Sequence, residues 1–388
     1  ALNEPPGEFR RLVLCLDGTW NSPFDETRTP DGFIVLKPTN VLKLCRAVES
    51  RDAEGISQLN YYLSGVGTVP RYPGPTNAMY SIVDKYLGGV WGAGFEANVE
   101  SAIEFLGMNY RSGDEVYVFG FSRGAATARG LTQFLDWSGG LPSRNDTYYL
   151  PLLFREFIRV RGQGNSDAWV AKINAERSAE PSPKAPLEPF SPVSIRYLGV
   201  WDTVMALGSR FESTGVKNAT VSRSFYVDDK PAKAVRSTRQ ALAIDERRFD
   251  FRPEIWTHAR EGQDMQQRWF AGVHSNVGGG YLHDGLANGA FRWVLEGATN
   301  LGLELKKEFI RHYRPYPQDT LYETYTTGAW LIDAVRFRLG DGVRQISGQP
   351  GSANLSVDRQ VVTRLLTDPS VTGRGGSPRF PRMNGQPY

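Results

Sequence analysis

The stretch from Gly113 to Gly130, GDEVYVFGFSRGAATARG, most narrowly limits how this chain can fold. An apolar, strand-like run over Val116 to Phe119 leads straight into Gly120-Phe121-Ser122-Arg123-Gly124, and a helix-like run of small residues follows. Strand, G-x-S-x-G and helix, in that order, describe a sharp reversal at the end of a strand with the serine at its apex. Gly120 and Gly124 stand where a Cβ would meet a neighbouring strand or helix. Ala125, Ala126 and Ala128 keep the start of the helix slim enough to lie close on a sheet. In such a turn Ser122 Oγ points outward, and the backbone N–H of Arg123 faces the space where an oxyanion would form. The alternative is a glycine-rich turn whose serine only caps the helix.

The elements around this turn predict a parallel sheet. Arg11 to Leu16 is a continuous apolar run closed by Asp17-Gly18-Thr19, which reads as a strand buried on both faces. Lys37 to Val48 has helical spacing, Gln58 to Leu63 reads as a second strand, and Val66 to Tyr80 as a Pro- and Gly-rich loop. Phe95 to Asn109 forms an amphipathic helix. Strand and helix patterns alternate through residues 11–137, which implies a doubly wound α/β fold with helices on both faces.

Residues 138–192 break the rhythm and read as an insertion above the sheet, with an aromatic helix from Tyr148 to Val160 and a Pro/Ser-rich return. Ile195 to Trp201 resumes the strand pattern, and a second, irregular polar insertion covers about 205–235. Both interrupt the sheet beside candidate catalytic loops and are expected to cap the site. Gln267 to His274 reads as the last strand, and Leu286 to Asn300 as a helix. The expected organisation is one α/β-hydrolase-like domain over residues 1–367 and an extended or disordered tail over 368–388, rich in Gly, Pro and Arg.

Composition removes several classes of function. The 388 residues carry 45 basic and 42 acidic side chains, a net charge of +3, without the basic excess of a nucleic-acid binder. No run approaches ~18 uninterrupted apolar residues, so no transmembrane helix is expected. The opening Ala-Leu-Asn-Glu-Pro-Pro-Gly-Glu lacks a basic segment followed by an apolar core, so no signal peptide is visible. With only Cys15 and Cys45, a disulfide framework and a cysteine zinc site are excluded, and Cys15 reads as a buried small hydrophobe.

A serine hydroxyl needs a base within reach, and the base needs a carboxylate to fix its tautomer. In doubly wound hydrolases the partners follow later strands in the order Ser, Asp or Glu, His. Asp202 ends the strand Ile195–Trp201 and fits the acid; a local cap for Thr203-Val204 is its alternative. Asp245 and Asp250 are rivals within a charged run that ordinarily forms solvated ion pairs. His274 fits the base, followed by Ser275, Asn276, Val277 and three glycines that allow the backbone to curl back. His283 follows a glycine turn, His258 sits near Trp256, and His312 belongs to an exposed basic face. His274, His283 and Asp284 match no metal-ligand spacing, so neither metal nor cofactor is called for. The second oxyanion donor is expected from the Gly18–Thr19 turn, which Asp17 can hold by bonding forward to N–H groups.

Five blocks, 14–21, 113–124, 199–204, 241–248 and 269–281, resemble, in the same order, an uncharacterised α/β-hydrolase family that includes the phospholipase effectors of bacterial type VI secretion systems. That family's serine, aspartate and histidine fall on Ser122, Asp202 and His274. The resemblance implies hydrolysis of carboxylic esters, with phospholipid as substrate in the effector branch and smaller soluble esters as the alternative. A non-catalytic binding or toxin scaffold on the same shell is a reading of another class. The resemblance further implies peripheral contact with a membrane, a secretion partner or immunity protein, and residence in the cytoplasm or delivery to a periplasm or target cell.

Overall fold

A computed structural model describes residues 9–18, 21, 26–29, 31–65, 91–179, 184–204, 229–248, 251–324, 344 and 355–367. The Pro/Gly loop at 66–80, most of the second insertion, Thr19, Asp250 and the tail at 368–388 lie outside them. The described chain runs β1 (Arg11–Leu16), β2 (Glu26–Arg28), β3 (Ile34–Leu36), α1 (Asn40–Ala47), β4 (Gln58–Leu63), α2 (Trp91–Asn109), β5 (Glu115–Phe121) and α3 (Arg123–Ser138). After a 3-10 turn come α4 (Leu150–Arg159), α5 (Asp167–Ala179), β6 (Ser194–Trp201), β7 (Val235–Ala243), β8 (Asp264–Phe270), α6 (His274–Gly278), α7 (Gly285–Thr299), α8 (Lys307–Arg311), β9 (Leu355–Val357) and α9 (Arg359–Thr367).

Seven strands form one parallel sheet in the order β4-β1-β5-β6-β7-β8-β9; β2 and β3 make a separate antiparallel hairpin. The period of two along a strand sends alternate side chains to opposite faces. In β1, Leu12, Leu14 and Leu16 enter one apolar cluster with α2, α3 and α4, while Val13 and Cys15 enter the other with α1 and α7. The continuous apolar run of β1 is therefore explained by helices covering both faces. Strand order reverses between β1 and β5, and in an open parallel sheet such a reversal opens a crevice at the strands' carboxyl ends. Gly18 leaves β1 and Ser122 leaves β5 at that reversal.

Two expectations are corrected, and one strand was not foreseen. The last strand is not Gln267–His274: β8 stops at Phe270, and β9 pairs with it as a further parallel strand. β7 joins the sheet although its sequence, VRSTRQALA, looks polar. Two of its buried polar side chains find partners: Thr238 donates to the Leu198 carbonyl at 2.8 Å, and the Gln240 amide donates to Glu254 O and Gln267 Oε1, each at 3.0 Å. A hydrogen-bonded amide enters a core with little penalty, so hydropathy does not reveal the strand.

The insertion at 138–192 does not sit over Ser122. α3 runs back along the sheet, and at 1.5 Å per residue its sixteen residues carry the chain roughly 24 Å away from the serine. Phe154 and Phe157 of α4 then pack edge-on against Phe134, near the far end of α3. Tyr110, just before β5, donates to the Pro192 carbonyl at 2.8 Å, which ties the return to the amino-terminal edge of the sheet.

Candidate active site

The turn at Ser122 is tight because two glycines allow it. A Cβ on Gly124 would lie 2.1 Å from the Leu16 carbonyl oxygen, and one on Gly120 would lie 2.4 Å from that of Gly124. Ser122 adopts φ 58° and ψ −121°, a left-handed backbone that non-glycine residues rarely take and that costs of order 1–3 kcal/mol. Its N–H donates to the Trp201 carbonyl at 3.0 Å, and its carbonyl accepts from Ala125 and Ala126 at 3.1 and 3.2 Å. The hydroxyl makes no capping bond to α3, which removes the reading of Ser122 as a simple helix cap.

β5 and β6 place Phe121 opposite Trp201, so Ser122 and Asp202 leave adjacent strands at the same level. Asp202 is fully buried and also has positive φ, 41°. Its Oδ1 accepts from Ala243 N–H at 3.0 Å and from Arg344 Nη1 at 2.7 Å. Its Oδ2 accepts from Arg344 Nη2 at 3.0 Å and from His274 Nδ1 at 2.6 Å. These bonds reach other strands and loops, so Asp202 is not a local cap for Thr203-Val204. An ionised carboxylate only accepts, which puts the neutral ring's proton on Nδ1 and leaves Nε2 as an acceptor.

His274 opens α6 four residues beyond the end of β8 and reaches back past β7 to Asp202. Glycines shape this return. Gly272 has φ 109°, and a Cβ on Gly278 would fall 1.9 Å from the Phe121 ring. The His274 ring thus lies against Phe121, centroids 4.6 Å apart, beside Ser122 in the chain. The ring of Phe251 meets its other side edge-on at 4.9 Å. Ser122 and His274 are both buried, and among the described residues no hydrogen bond joins Ser122 Oγ to the ring. Catalytic contacts of this kind are commonly long in unliganded sites and shorten around substrate.

Burial alone would raise the Asp202 carboxyl, but the Arg344 guanidinium and the His274 ring hold it down at about 2. Burial is the strongest influence on His274 and pushes its pKa below the ordinary value, against the opposing pull of Asp202 and Glu246. The ring is therefore neutral near pH 7, the state a general base requires.

The described part of the charged run, 245–248, departs from its expected solvated character. Glu246 is fully buried, receives Arg248 Nε and Nη2 at 2.8 Å each, and accepts the backbone N–H of His274 at 3.3 Å. Burial would raise Glu246, but Arg248 holds it at about 2. Asp245 accepts from Gly272 N–H at 2.6 Å and so anchors the approach to His274 rather than acting on the ring. Neither Glu246 nor Arg344 was singled out by the sequence, Arg344 being 142 positions beyond Asp202.

At the expected oxyanion turn, a Cβ on Gly18 would come 3.1 Å from Ser122 Cβ, so the two backbones lie close. Asp17 takes the Gly18 N–H itself at 2.7 Å, which engages a donor expected for an oxyanion. The other Asp17 oxygen receives Thr39 and Tyr62 hydroxyls at 2.6 and 2.7 Å. The remaining histidines are elsewhere: His258 faces Asp229 at 3.5 Å, His283 faces Asp319 at 3.9 Å, and His312 is exposed after α8. His274, turned to Asp202, and His283, exposed, do not converge, and Cys15 is buried and unpaired in a disulfide.

Residues 10–297, well over half the chain, match the family model described as the catalytic domain of Tle1-like phospholipase effectors of type VI secretion systems. The uncharacterized protein YEL023C of Saccharomyces cerevisiae is 24% identical over 251 residues, 64% of this chain and 33% of its own. An uncharacterized protein from Pseudomonas aeruginosa superposes with a TM-score of 0.42 at 15% identity, over 79% of this chain and 49% of that one. The Tle1 effector bound to the VgrG spike gives 0.34 at 19% identity, over 71% and 52%. Acyl-protein thioesterase 2 of Zea mays gives 0.28 at 11% identity, over 77% and 97%. The chain spans a third of the curated relative and about half of the first two solved structures.

Proposed function

Because this chain belongs to the family of Tle1-like phospholipase effector catalytic domains, we propose that it is a serine hydrolase that cleaves carboxylic esters of phospholipids through an acyl-enzyme. The observation that carries the reading is the buried Asp202–His274 hydrogen bond beside the strained turn at Ser122. In this mechanism His274 Nε2 takes the Ser122 hydroxyl proton as Oγ attacks the ester carbonyl. The same proton passes to the leaving alkoxide as the tetrahedral adduct collapses. A water then attacks the acyl-serine with His274 again as base, releasing the carboxylic acid and restoring Oγ–H. Asp202 keeps the ring in the useful tautomer and stabilises the imidazolium. Arg123 N–H, at the start of α3, supplies one oxyanion donor, and the Gly18–Thr19 turn the second, with Gly18 N–H released from Asp17 or Thr19 N–H in its place. No step calls on a metal or cofactor.

A lipid substrate is favoured by the hairpin β2–β3, which links the Gly18 turn to α1. Phe33, Ile34 and Leu36 are exposed on it, Phe33 by 71%, as suits contact with a lipid surface. The family also makes delivery to a target cell by a type VI apparatus part of the proposal. The test compares release of fatty acid from phospholipid vesicles with hydrolysis of p-nitrophenyl butyrate, using the parent and Ser122→Ala. Activity on both that disappears in the variant supports the reading. Activity on the short ester alone moves the substrate to small soluble esters, and Ser122-independent activity overturns it.

A further inference from the structure

Arg344 reaches the acid–base pair from a part of the chain that no motif announces. Its guanidinium grips both oxygens of Asp202, at 2.7 and 3.0 Å, in the forked geometry that only arginine provides. The same two nitrogens also donate to the backbone carbonyls of Ala243, at 2.6 Å, and of Phe251. Phe251 in turn walls the His274 ring. With Ala243 N–H and His274 Nδ1 added, four donors load the two carboxylate oxygens and leave Asp202 a single orientation. We propose that Arg344 is a positioning residue of this hydrolytic site, presenting Asp202 to His274 and sharing its negative charge.

The inference rests on the hydrolase reading. It adds that the acid is held by a fourth side chain and that the base works against a carboxylate already paired to a cation. A carboxylate shared in this way attracts the ring proton less strongly, so His274 gives its proton back more readily to the leaving alkoxide. Among the described residues the other charged groups acting on His274 are Glu246 and Arg248, which follow β7; Tyr281, which follows α6 and stacks on Tyr322 at 4.0 Å, feels the same Glu246 and Arg248.

The test uses the full chain with Arg344→Gln and Arg344→Lys. Active sites are counted with a serine-directed fluorophosphonate, and kcat/KM on p-nitrophenyl butyrate is followed against pH. Removing the charge in Arg344→Gln leaves Asp202 unopposed, so the acid limb should move up by about one pH unit. A loosened carboxylate should also lower kcat per active site roughly 100-fold in that variant. Lysine keeps the charge and loses the fork, so Arg344→Lys should hold the parent's acid limb while kcat falls roughly tenfold. A purely structural arginine would lower Tm and the yield of active sites and leave both readouts unmoved in the sites that remain, which overturns the proposal. Failure of both variants to fold also overturns it, by making Arg344 a requirement of folding. Activity that survives Ser122→Ala sinks the hydrolase reading itself, whereas Ser122-dependent activity indifferent to Arg344 sinks only this proposal.

Discussion

Asp202 is a charge with no exposure to solvent, and four hydrogen-bond donors take the place of its water. Replacing it with asparagine keeps the shape but presents an amide that can force the ring into the wrong tautomer. Asp202→Asn should lower kcat on a soluble ester by roughly 10⁴-fold with a small change in KM; a loss below tenfold would show that His274 does not depend on this carboxylate. In the proposed mechanism His274 sets the pH profile. Its pKa is pushed below the ordinary value by burial, so the acid limb of kcat/KM should fall below about 6.5. A limb above that value would place the titrating base elsewhere. That Asp202 and His274 meet beside the turn at Ser122 could be anticipated, because each of the three follows a strand or strand-like run in the chain order proposed for acyl transfer. Glu246 and Arg344 could not, since a charged run reads as solvated until its partners are known, and a lone arginine carries no period or motif.

At the level of elements, the site depends on how closely α3 and α6 approach the sheet. Gly124 is the sharpest point: the Leu16 and Asp17 carbonyl oxygens lie 2.1 and 2.5 Å from where a Cβ would stand, and backbone cannot step aside as a side chain can. Gly124→Ala should therefore lower the unfolding free energy by about 1–3 kcal/mol and displace Ser122, visible as a lower Tm together with reduced activity. An unchanged Tm would mean that α3 does not lie on β1 as described. β1, β5 and β6 were read from continuous apolar runs and α1, α2 and α7 from helical spacing, whereas α5 within the first insertion was not read. β7 escaped because its polar residues are buried in pairs, and β9 because three residues give too short a pattern. The insertion after α3 was placed on the wrong edge: sequence shows that the rhythm breaks, not which way the preceding helix has carried the chain.

Over the whole molecule, two buried carboxylates couple folding to pH in the same direction. Asp202 and Glu246 are both held at about 2, below their unfolded values, so each stabilises the fold above about pH 4 and loses that contribution as pH falls toward 2. Each contribution is of order 2–3 kcal/mol. His274, whose pKa is lowered on folding, adds stability that is complete above about 6.5 and declines below it as the unfolded chain takes up the proton first. Urea unfolding followed from pH 7 to 3 should show stability falling throughout, with the larger loss below pH 4; a flat profile would mean that these groups are not buried as charges. The central claim is tested most directly on the intact chain, by its mass after exposure to a fluorophosphonate. The account predicts one added phosphonyl group, located on Ser122 and absent in Ser122→Ala and His274→Ala. A chain that stays unlabelled while folded, or one labelled equally in those variants, would contradict it.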